Sequence, residues 1–346
     1  MTKKPSKTLL AVCPLPKSGA RMQRIDWRSG LAVLTAGLIV STGSPIETPS
    51  LGDAVENAST RLVENLTEEG PHLGFDTFAY PGEEAMRAWL TADKPYRWVG
   101  YYLPAPCHQD DSWEGKRPVL AGMGWGMAVI YVGQQTWGRT PGQKVAVTRY
   151  VTKRVRQVRT RNGRRVVRYV RKRVPVRVMV VPRASRGSSC STQFVSAARG
   201  TADANDAIAK TSAEGFAKGT SIFLDLERMD HVPKAMRDYY RAWTKRVLED
   251  GRYRPAYYAH SFNANLIYGD VKEVLLAAGV TTDPPFWIAS ARGFATDKNP
   301  TEVGHSFAQV WQGMLDIVET HNGVRLPIDV NVAQFPSPSE DYPIGE

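Results

Sequence analysis

The chain has 346 residues, 42% of them hydrophobic, which is enough for one barrel domain of about 250 residues with additional segments. The formal net charge is +11, but the segment 144–183 contains 15 Lys or Arg and no Asp or Glu. Because removing those 15 charges from +11 leaves −4, the basic character belongs to this segment. It does not indicate nucleic-acid binding by the rest of the chain.

Residues 1–44 have the pattern of an export signal or an N-terminal anchor. Seven Lys or Arg precede an apolar run of ten residues at 31–40. A membrane-spanning helix needs about 20 residues, and a positive region before a short apolar stretch is typical of an export signal. Residues 45–70 are rich in Ser, Thr, Pro and Glu and predict a linker. We therefore expect a secreted protein or one associated with the cell envelope.

From residue 71 to residue 340 the sequence alternates strand and helix patterns. The predicted strands are 72–76, 97–103, 127–132, 220–227, 254–259, 286–290, 307–312 and 328–332. The predicted helices are 82–90, 201–217 with Thr201 as its N-cap, one that runs from Pro233 to Gly251, and 264–278. This alternation predicts an α/β fold with a parallel sheet, closed as a (β/α)8 TIM-type barrel.

The basic segment 144–183 predicts a long β-hairpin inserted into the barrel. Asn162-Gly163 is a strong signal for a two-residue hairpin turn. Folding the chain there aligns five Val–Val pairs: Val145–Val180, Val147–Val178, Val151–Val174, Val155–Val170 and Val158–Val167. A two-stranded arm of this length, about 60 Å, has marginal stability by itself.

Two interpretations of this hairpin stay open. It is a finger for a polyanion, such as a wall teichoic-type polymer, an acidic lipid or a nucleic acid, or it is a solvated loop without a partner. Its only aromatic residues are Tyr150 and Tyr169, which argues against base stacking. We therefore expect no dedicated nucleic-acid site.

Three cysteines occur, and Cys13 lies in the predicted export segment. Cys107 and Cys190 remain, and in an oxidising compartment an even number of cysteines favours a disulfide. The alternative is two unrelated buried thiols.

Asp225 and Glu227 are the candidate catalytic pair. They alternate along the predicted strand 220–227 and therefore point to the same side, at the end where such barrels carry their active sites. Hydrolysis of a glycosidic bond uses two carboxyl groups in this way. The alternative is a salt-bridged pair at a strand end.

Other polar and aromatic residues also end predicted strands. Asp76 ends the first strand and Asp329 lies on the eighth, and these two strands adjoin in a closed barrel. We therefore expect both carboxylates on one rim with Asp225 and Glu227. Trp137 is a further candidate for stacking on sugars. The candidate substrate-binding residues are Tyr102, Gln134, Gln135, Tyr258, Trp287, Gln309, Trp311 and Asn331.

Five stretches carry a resemblance to a known family: Gly74-Phe-Asp76, 131–135, 222–227, 308–312 and Asp329-Val-Asn331. They resemble the bacterial glycoside-hydrolase-like domain of the Rv2525c-like proteins, formerly called DUF1906, which is similar in layout to the family 25 muramidases. The resemblance covers residues 71–336 apart from the basic hairpin. It implies that Glu227 is the proton donor and that Asp225 stabilises or orients an N-acetyl group, with Asp76 and Asp329 completing the acidic rim.

Three hypotheses follow. The first is a secreted glycoside hydrolase that acts on a peptidoglycan-like cell-wall glycan. The second is a catalytically inactive protein that binds this glycan, and the third is an adaptor that binds an anionic polymer through the hairpin at 144–183. We expect a monomer with no metal and no cofactor, since no zinc-type spacing and no phosphate-binding glycine loop occurs.

Overall fold

The computed structural model describes residues 71–92 and 96–340. The predicted export signal at 1–44 and the predicted linker at 45–70 lie outside the described residues. Within the described part, no helix is both long enough and apolar enough to cross a membrane.

The described chain contains ten strands and five α-helices. The strands are β1 (His72–Asp76), β2 (Trp98–Tyr102), β3 (Gly126–Tyr131), β4 (Val145–Arg161), β5 (Arg164–Val180), β6 (Ser221–Leu226), β7 (Arg254–His260), β8 (Phe286–Ala289), β9 (Ala308–His321) and β10 (Val324–Ala333). The helices are α1 (Glu83–Leu90), α2 (Arg117–Met123), α3 (Ala197–Ala213), α4 (Lys234–Asp250) and α5 (Ser261–Ala277).

Eight strands form a closed barrel in the order β1-β10-β9-β8-β7-β6-β3-β2, which confirms the predicted α/β barrel. Six of its strand pairs are parallel, but β10 is antiparallel to both β9 and β1. The expectation of an entirely parallel sheet is therefore wrong for the last strand. The physical reason is the turn at Asn322 and Gly323, whose positive φ angles of 46° and 79° fold β9 back as a hairpin.

The interior of the barrel is a packed apolar layer. Trp287 lies at its centre, with its ring 5.4 Å from that of Trp98 and 5.7 Å from that of Phe223 in edge-to-face geometry. This layer closes the barrel, so the polar residues at the C-terminal ends of the strands lie above an apolar floor. The layer consists of Trp98, Ala128, Ile130, Phe223, Ala256, Trp287, Val310 and Ala333.

Helix α3 begins at Ala197, not at the predicted Thr201. The side chain of Ser196 accepts a hydrogen bond from the backbone N–H of Arg199 and caps the helix. Thr201 lies inside the helix and its hydroxyl donates to the carbonyl of Ala197, four residues back. A serine five residues earlier therefore supplies the cap that the prediction assigned to the threonine.

The basic hairpin, residues 144–183, forms a separate two-stranded sheet between β3 and α3. Strands β4 and β5 pair at every position from Val145 opposite Val180 to Arg161 opposite Arg164, which confirms the predicted register and all five Val–Val pairs. Cys107 and Cys190 form a disulfide with a Cα–Cα distance of 4.8 Å. This bond ties the segment after the hairpin to the loop after β2.

Candidate active site

Asp225 and Glu227 line the same pocket at the C-terminal end of the barrel, together with Asp76 and Asp329. Strand β6 ends at Leu226, so alternation along the chain turns both side chains to the pocket. The structure thus brings the four candidate acids together. The remaining lining residues are Tyr102, Ile130, Tyr258, Trp287 and Gln312.

The pocket is small. Its volume is about 90 Å³, which holds about three water molecules. Pockets that enclose a whole small molecule usually have about 300 to 1,000 Å³. The pocket therefore suits one polar group of a larger ligand whose other parts lie along the rim.

Asp76 is the best hydrogen-bonded carboxylate of the four. It accepts hydrogen bonds from the Tyr102 hydroxyl at 2.8 Å, the Gln312 amide at 3.0 Å and the Asn331 amide at 2.9 Å. Burial raises the pKa of Asp76, and these three hydrogen bonds oppose that rise. Three donors around one carboxylate favour its ionised form.

Asp329 lies at a β-bulge between Ile328 and Val330, where β10 shifts register against β9. Its carboxylate accepts a hydrogen bond from the backbone N–H of Asp316 at 2.6 Å and another from the Gln312 amide at 3.2 Å. Burial and repulsion from Asp76 raise the pKa of Asp329 to about 7. The bulge therefore directs a carboxyl group that is half protonated near neutral pH into the pocket.

Asp225 lacks the donors that support Asp76. Its Oδ1 atom is buried without a hydrogen-bond partner. Burial raises the pKa of Asp225 well above its usual value, and repulsion from Glu227 and Asp76 adds to the rise. A buried acceptor of this kind is complementary to an N–H or O–H group of a ligand.

Glu227 lies at the rim and is exposed, while its carboxyl group lines the pocket. Desolvation raises the pKa of Glu227, and a hydrogen bond from the backbone N–H of Arg228 opposes the rise. Within the described residues, none of the four carboxylates forms a salt bridge with Lys or Arg. The repulsion between the acids is therefore not neutralised by a cation.

Two glutamines after β3 hold different parts of the site region. The Gln135 side chain donates to the carbonyl of Asp225 at 2.8 Å and accepts from the N–H of Glu227 at 3.1 Å, so it fixes the backbone that carries both acids. Gln134 donates to the carbonyl of Ser189 at 2.8 Å and accepts from the N–H of Ser191 at 3.0 Å. Gln134 therefore holds the segment after the basic hairpin and does not line the pocket.

Strand β9 contributes Gln312, which lies in the stretch 308–312 that carries the family resemblance but is not among the predicted substrate-binding residues. Val310 and Gln312 point into the barrel, and the Gln312 amide oxygen accepts a hydrogen bond from the Tyr258 hydroxyl at 2.6 Å. Gln309 lines another cavity near the start of β7, and Trp311 donates to the carbonyl of Ser290 outside the barrel. The structure thus does not bring the candidates Gln309 and Trp311 to the pocket.

The other selected residues lie at the pocket or directly below it. Tyr102, Tyr258 and Trp287 line it, and the Trp287 indole N–H donates to the Asn331 side-chain oxygen at 3.0 Å. Asn331 is buried and reaches the pocket through its hydrogen bond to Asp76.

Two exposed aromatic rings follow strands that contribute residues to the pocket. Tyr102 stacks on His108 at 4.6 Å, and His108 contacts Phe78, which is 65% exposed, at 4.5 Å. Phe262, after β7, is 64% exposed, and the guanidinium of Arg228 lies 5.8 Å from its ring. Neither phenylalanine is among the residues predicted from the sequence, although each lies within two residues of the end of its strand. Trp137, by contrast, lines a cavity at the base of the basic hairpin.

Comparison with known families assigns the domain. The family model described as "Rv2525c-like, glycoside hydrolase-like domain" matches residues 87–333. The chain belongs to this family. The Rv2525c-like domain therefore includes β2 to β10 and three of the four acids, and Asp76 lies just before the matched range. No curated protein matches the chain.

Solved structures similar to this Rv2525c-like domain show low sequence identity. An uncharacterized protein of B. stearothermophilus has 17% identity and a TM-score of 0.45, over 76% of this chain and 95% of that one. The spore cortex lytic enzyme SleM of Clostridium perfringens has 13% identity and a TM-score of 0.43, over 76% and 67%. The Tat-secreted Rv2525c of Mycobacterium tuberculosis, in complex with L-tartrate, has 14% identity and a TM-score of 0.41, over 78% and 100%.

Proposed function

We propose that this Rv2525c-like domain is a glycoside hydrolase that acts on a bacterial cell-wall glycan with N-acetylated sugars. The observation that carries the proposal is the pocket in which Asp225 and Glu227 lie beside Asp76 and Asp329 without a neutralising cation. Glycosidic hydrolysis needs one protonated and one ionised carboxyl group at neutral pH. Repulsion within such a cluster separates the pKa values of its carboxyl groups, so that some are protonated and others are ionised at the same pH.

Glu227 is the proton donor in this proposal. It lies at the exposed rim, where a glycan lying along the rim presents its glycosidic oxygen, and its raised pKa keeps a fraction of the group protonated. Its proton passes to that oxygen as the bond to the anomeric carbon breaks. Water supplies the new hydroxyl at this carbon, and the proton that water releases returns to an ionised carboxylate of the pocket.

Asp225 and Asp76 have separate roles. The unpartnered Oδ1 of Asp225 accepts the N–H of an acetamido group, which gives this buried atom the partner it lacks in the free protein. Asp76, whose three donors favour its ionised form, stabilises the positive charge that develops on the sugar ring. The small volume of the pocket suits a single acetamido group.

The proposal also places the protein outside the cytoplasm. Disulfides persist in oxidising compartments, and the Cys107–Cys190 bond agrees with a secreted or envelope-associated protein.

The test is release of reducing ends from purified peptidoglycan by the full chain, by Glu227→Gln and by Glu249→Gln. Glu249 is exposed near the end of α4 and provides a matched control. We expect release by the wild type and the control, and a loss of about 10²- to 10⁴-fold in Glu227→Gln. Undiminished release by Glu227→Gln would contradict its role as the proton donor. Wall binding without release by any of the three proteins would overturn catalysis and favour glycan binding alone.

A further inference from the structure

The basic hairpin has a charge distribution that the acid pocket does not explain. It carries twelve Arg and three Lys and no acidic residue. Within residues 71–92 and 96–340, none of these fifteen side chains forms a salt bridge. The strands also place like charges opposite each other, at Arg154 and Arg171 and at Lys153 and Lys172. Such pairs destabilise a sheet unless anions lie between them.

The pairing register assigns the cations to the two faces of the ribbon. Near the barrel, one face is mostly valine, with Val147, Val174, Val176, Val178 and Val180 half-buried. Towards the tip, cations occupy both faces. One face carries Lys153, Arg159, Arg161, Arg164, Arg168 and Lys172, and the other carries Arg154, Arg156, Arg165, Arg171 and Arg173.

This two-sided arrangement favours a flexible linear partner over a flat one. A bilayer surface contacts one face of a ribbon and leaves the cations of the other face in water. The hairpin has only two aromatic residues, Tyr150 and Tyr169, and a guanidinium lies over each ring, Arg173 at 5.6 Å and Arg154 at 5.5 Å. Two rings are few for a surface on which successive bases stack, which argues against single-stranded nucleic acid.

The predominance of arginine favours an oxyanion as the ligand. A guanidinium group binds phosphate or carboxylate through two parallel hydrogen bonds, which a lysine ammonium group does not. We propose that the distal half of the basic hairpin binds a linear phosphodiester polymer of the polyol phosphate type. Its phosphates lie between the facing arginines and bridge like charges that otherwise repel.

The hairpin is an insertion after β3, and therefore rises from the same end of the barrel as the acid pocket. The Gln134 side chain forms hydrogen bonds with the segment that follows the basic hairpin. The adjacent Gln135 side chain forms hydrogen bonds with the backbone of Asp225 and Glu227. The base of the basic hairpin therefore lies at the same end of the barrel as the pocket. The inference does not depend on whether the pocket hydrolyses a glycan.

The test measures binding of fluorescently labelled poly(glycerol phosphate) to the full chain. One variant combines Arg161→Gln, Arg164→Gln, Arg165→Gln and Arg168→Gln at the tip. Its matched control removes the same charge from exposed barrel positions, with Arg87→Gln, Lys218→Gln, Lys245→Gln and Arg292→Gln. Both variants are first compared with the wild type by thermal unfolding, so that a loss of binding is not a loss of folding.

We expect the tip variant to bind at least about tenfold more weakly and the control to bind like the wild type. Wild-type affinity falls by roughly 10³-fold between about 50 and 200 mM salt if about six phosphates are neutralised. Phosphatidylglycerol vesicles, a polyuronate and single-stranded DNA of matched charge serve as competitors and should compete more weakly. Equal losses in the two variants, or stronger binding to any of the three competitors, would overturn the proposal.

Discussion

Asp76 and Asp329 face each other in the antiparallel pair of β1 and β10, and the side-chain amide of Gln312 donates a hydrogen bond to each of their carboxylates. One neutral donor group thus separates two acids that repel each other. The antiparallel return of β10 makes this contact, because it places Asp329 beside the C-terminal end of β1. The resulting repulsion is a destabilising term that the protein retains at the centre of its candidate active site.

Asp329→Asn should stabilise the protein at alkaline pH. The folded-state pKa of about 7 lies above the unfolded value of about 3.9, so the folded state binds this proton more tightly. The stability linked to this group is therefore fully present below about pH 4, and is lost as pH rises to about 7. We expect a gain of about 1–2 kcal/mol at pH 8, after discounting for partial exposure, and a smaller gain at pH 5.

Urea unfolding at the two pH values measures this difference. Asp297→Asn, at an exposed position between β8 and β9, is the control and should change stability equally at both. A pH-independent loss of stability in Asp329→Asn would contradict the prediction.

Gln135→Leu should lower kcat with little change in KM. The substitution removes both hydrogen bonds that fix the backbone of Asp225 and Glu227, and leaves the N–H of Glu227 without its partner. We expect a cost of about 1–3 kcal/mol in unfolding free energy and a tenfold or greater fall in kcat, on the order seen when catalytic groups are misplaced. Gln134→Leu is the matched control because it loosens only the segment after the hairpin. Equal losses of kcat in the two variants would argue against positioning by Gln135.

Phe78→Ala and Phe262→Ala should each raise KM for a glycan chain and leave kcat unchanged. Both rings are mostly exposed and follow β1 and β7, which contribute Asp76 and Tyr258 to the pocket, so a glycan that lies along this rim can stack on them. Aromatic contacts contribute about 0.5–1.5 kcal/mol, so a rise in KM of about two- to tenfold is expected. Leu276→Ala, at an exposed position on α5, is the control. Unchanged KM in both phenylalanine variants would remove the rings from the substrate site.

Replacing Cys107 and Cys190 together by serine should lower the free energy of unfolding by about 2–4 kcal/mol. The bond closes a long loop, with a sequence separation of 83 residues. The acid pocket should keep its geometry well below the melting temperature, since Gln134 still holds the segment after the hairpin. Calorimetry measures the loss of stability, and an activity assay at low temperature measures whether the pocket keeps its geometry. A loss of activity without a loss of stability would contradict this prediction.

The sequence predicts the parts of this structure that depend on local periodicity. Alternation along β6 is enough to place Asp225 and Glu227 on one side, and the Asn162-Gly163 turn fixes the register of the basic hairpin. The Asn-Gly pair at Asn322-Gly323 is likewise typical of a hairpin turn, here between β9 and β10. This hairpin was not predicted, because a strict alternation of strands and helices was assumed.

The sequence also did not reveal which side of β9 faces the barrel interior. Gln309 and Trp311 lie on the same side of the strand, as predicted, but that side is the outer one, whereas Val310 and Gln312 point inward. Aromatic and amide side chains occur on both sides of a buried strand, so composition alone does not decide which side faces the barrel interior. The β-bulge at Asp329 depends on the neighbouring strand, and periodicity does not reveal it.

Titration of the pocket carboxyl groups shows directly whether the four acids share a desolvated pocket. In protein labelled with ¹³C at the Asp and Glu carboxyl carbons, NMR follows each group from acidic to alkaline pH. We expect a signal that titrates near pH 7 and is absent in Asp329→Asn, and a second carboxyl signal with a raised pKa that is absent in Asp225→Asn. If every carboxyl group titrated below about pH 5, the four acids would not share a desolvated pocket, and the proposed catalysis would be contradicted.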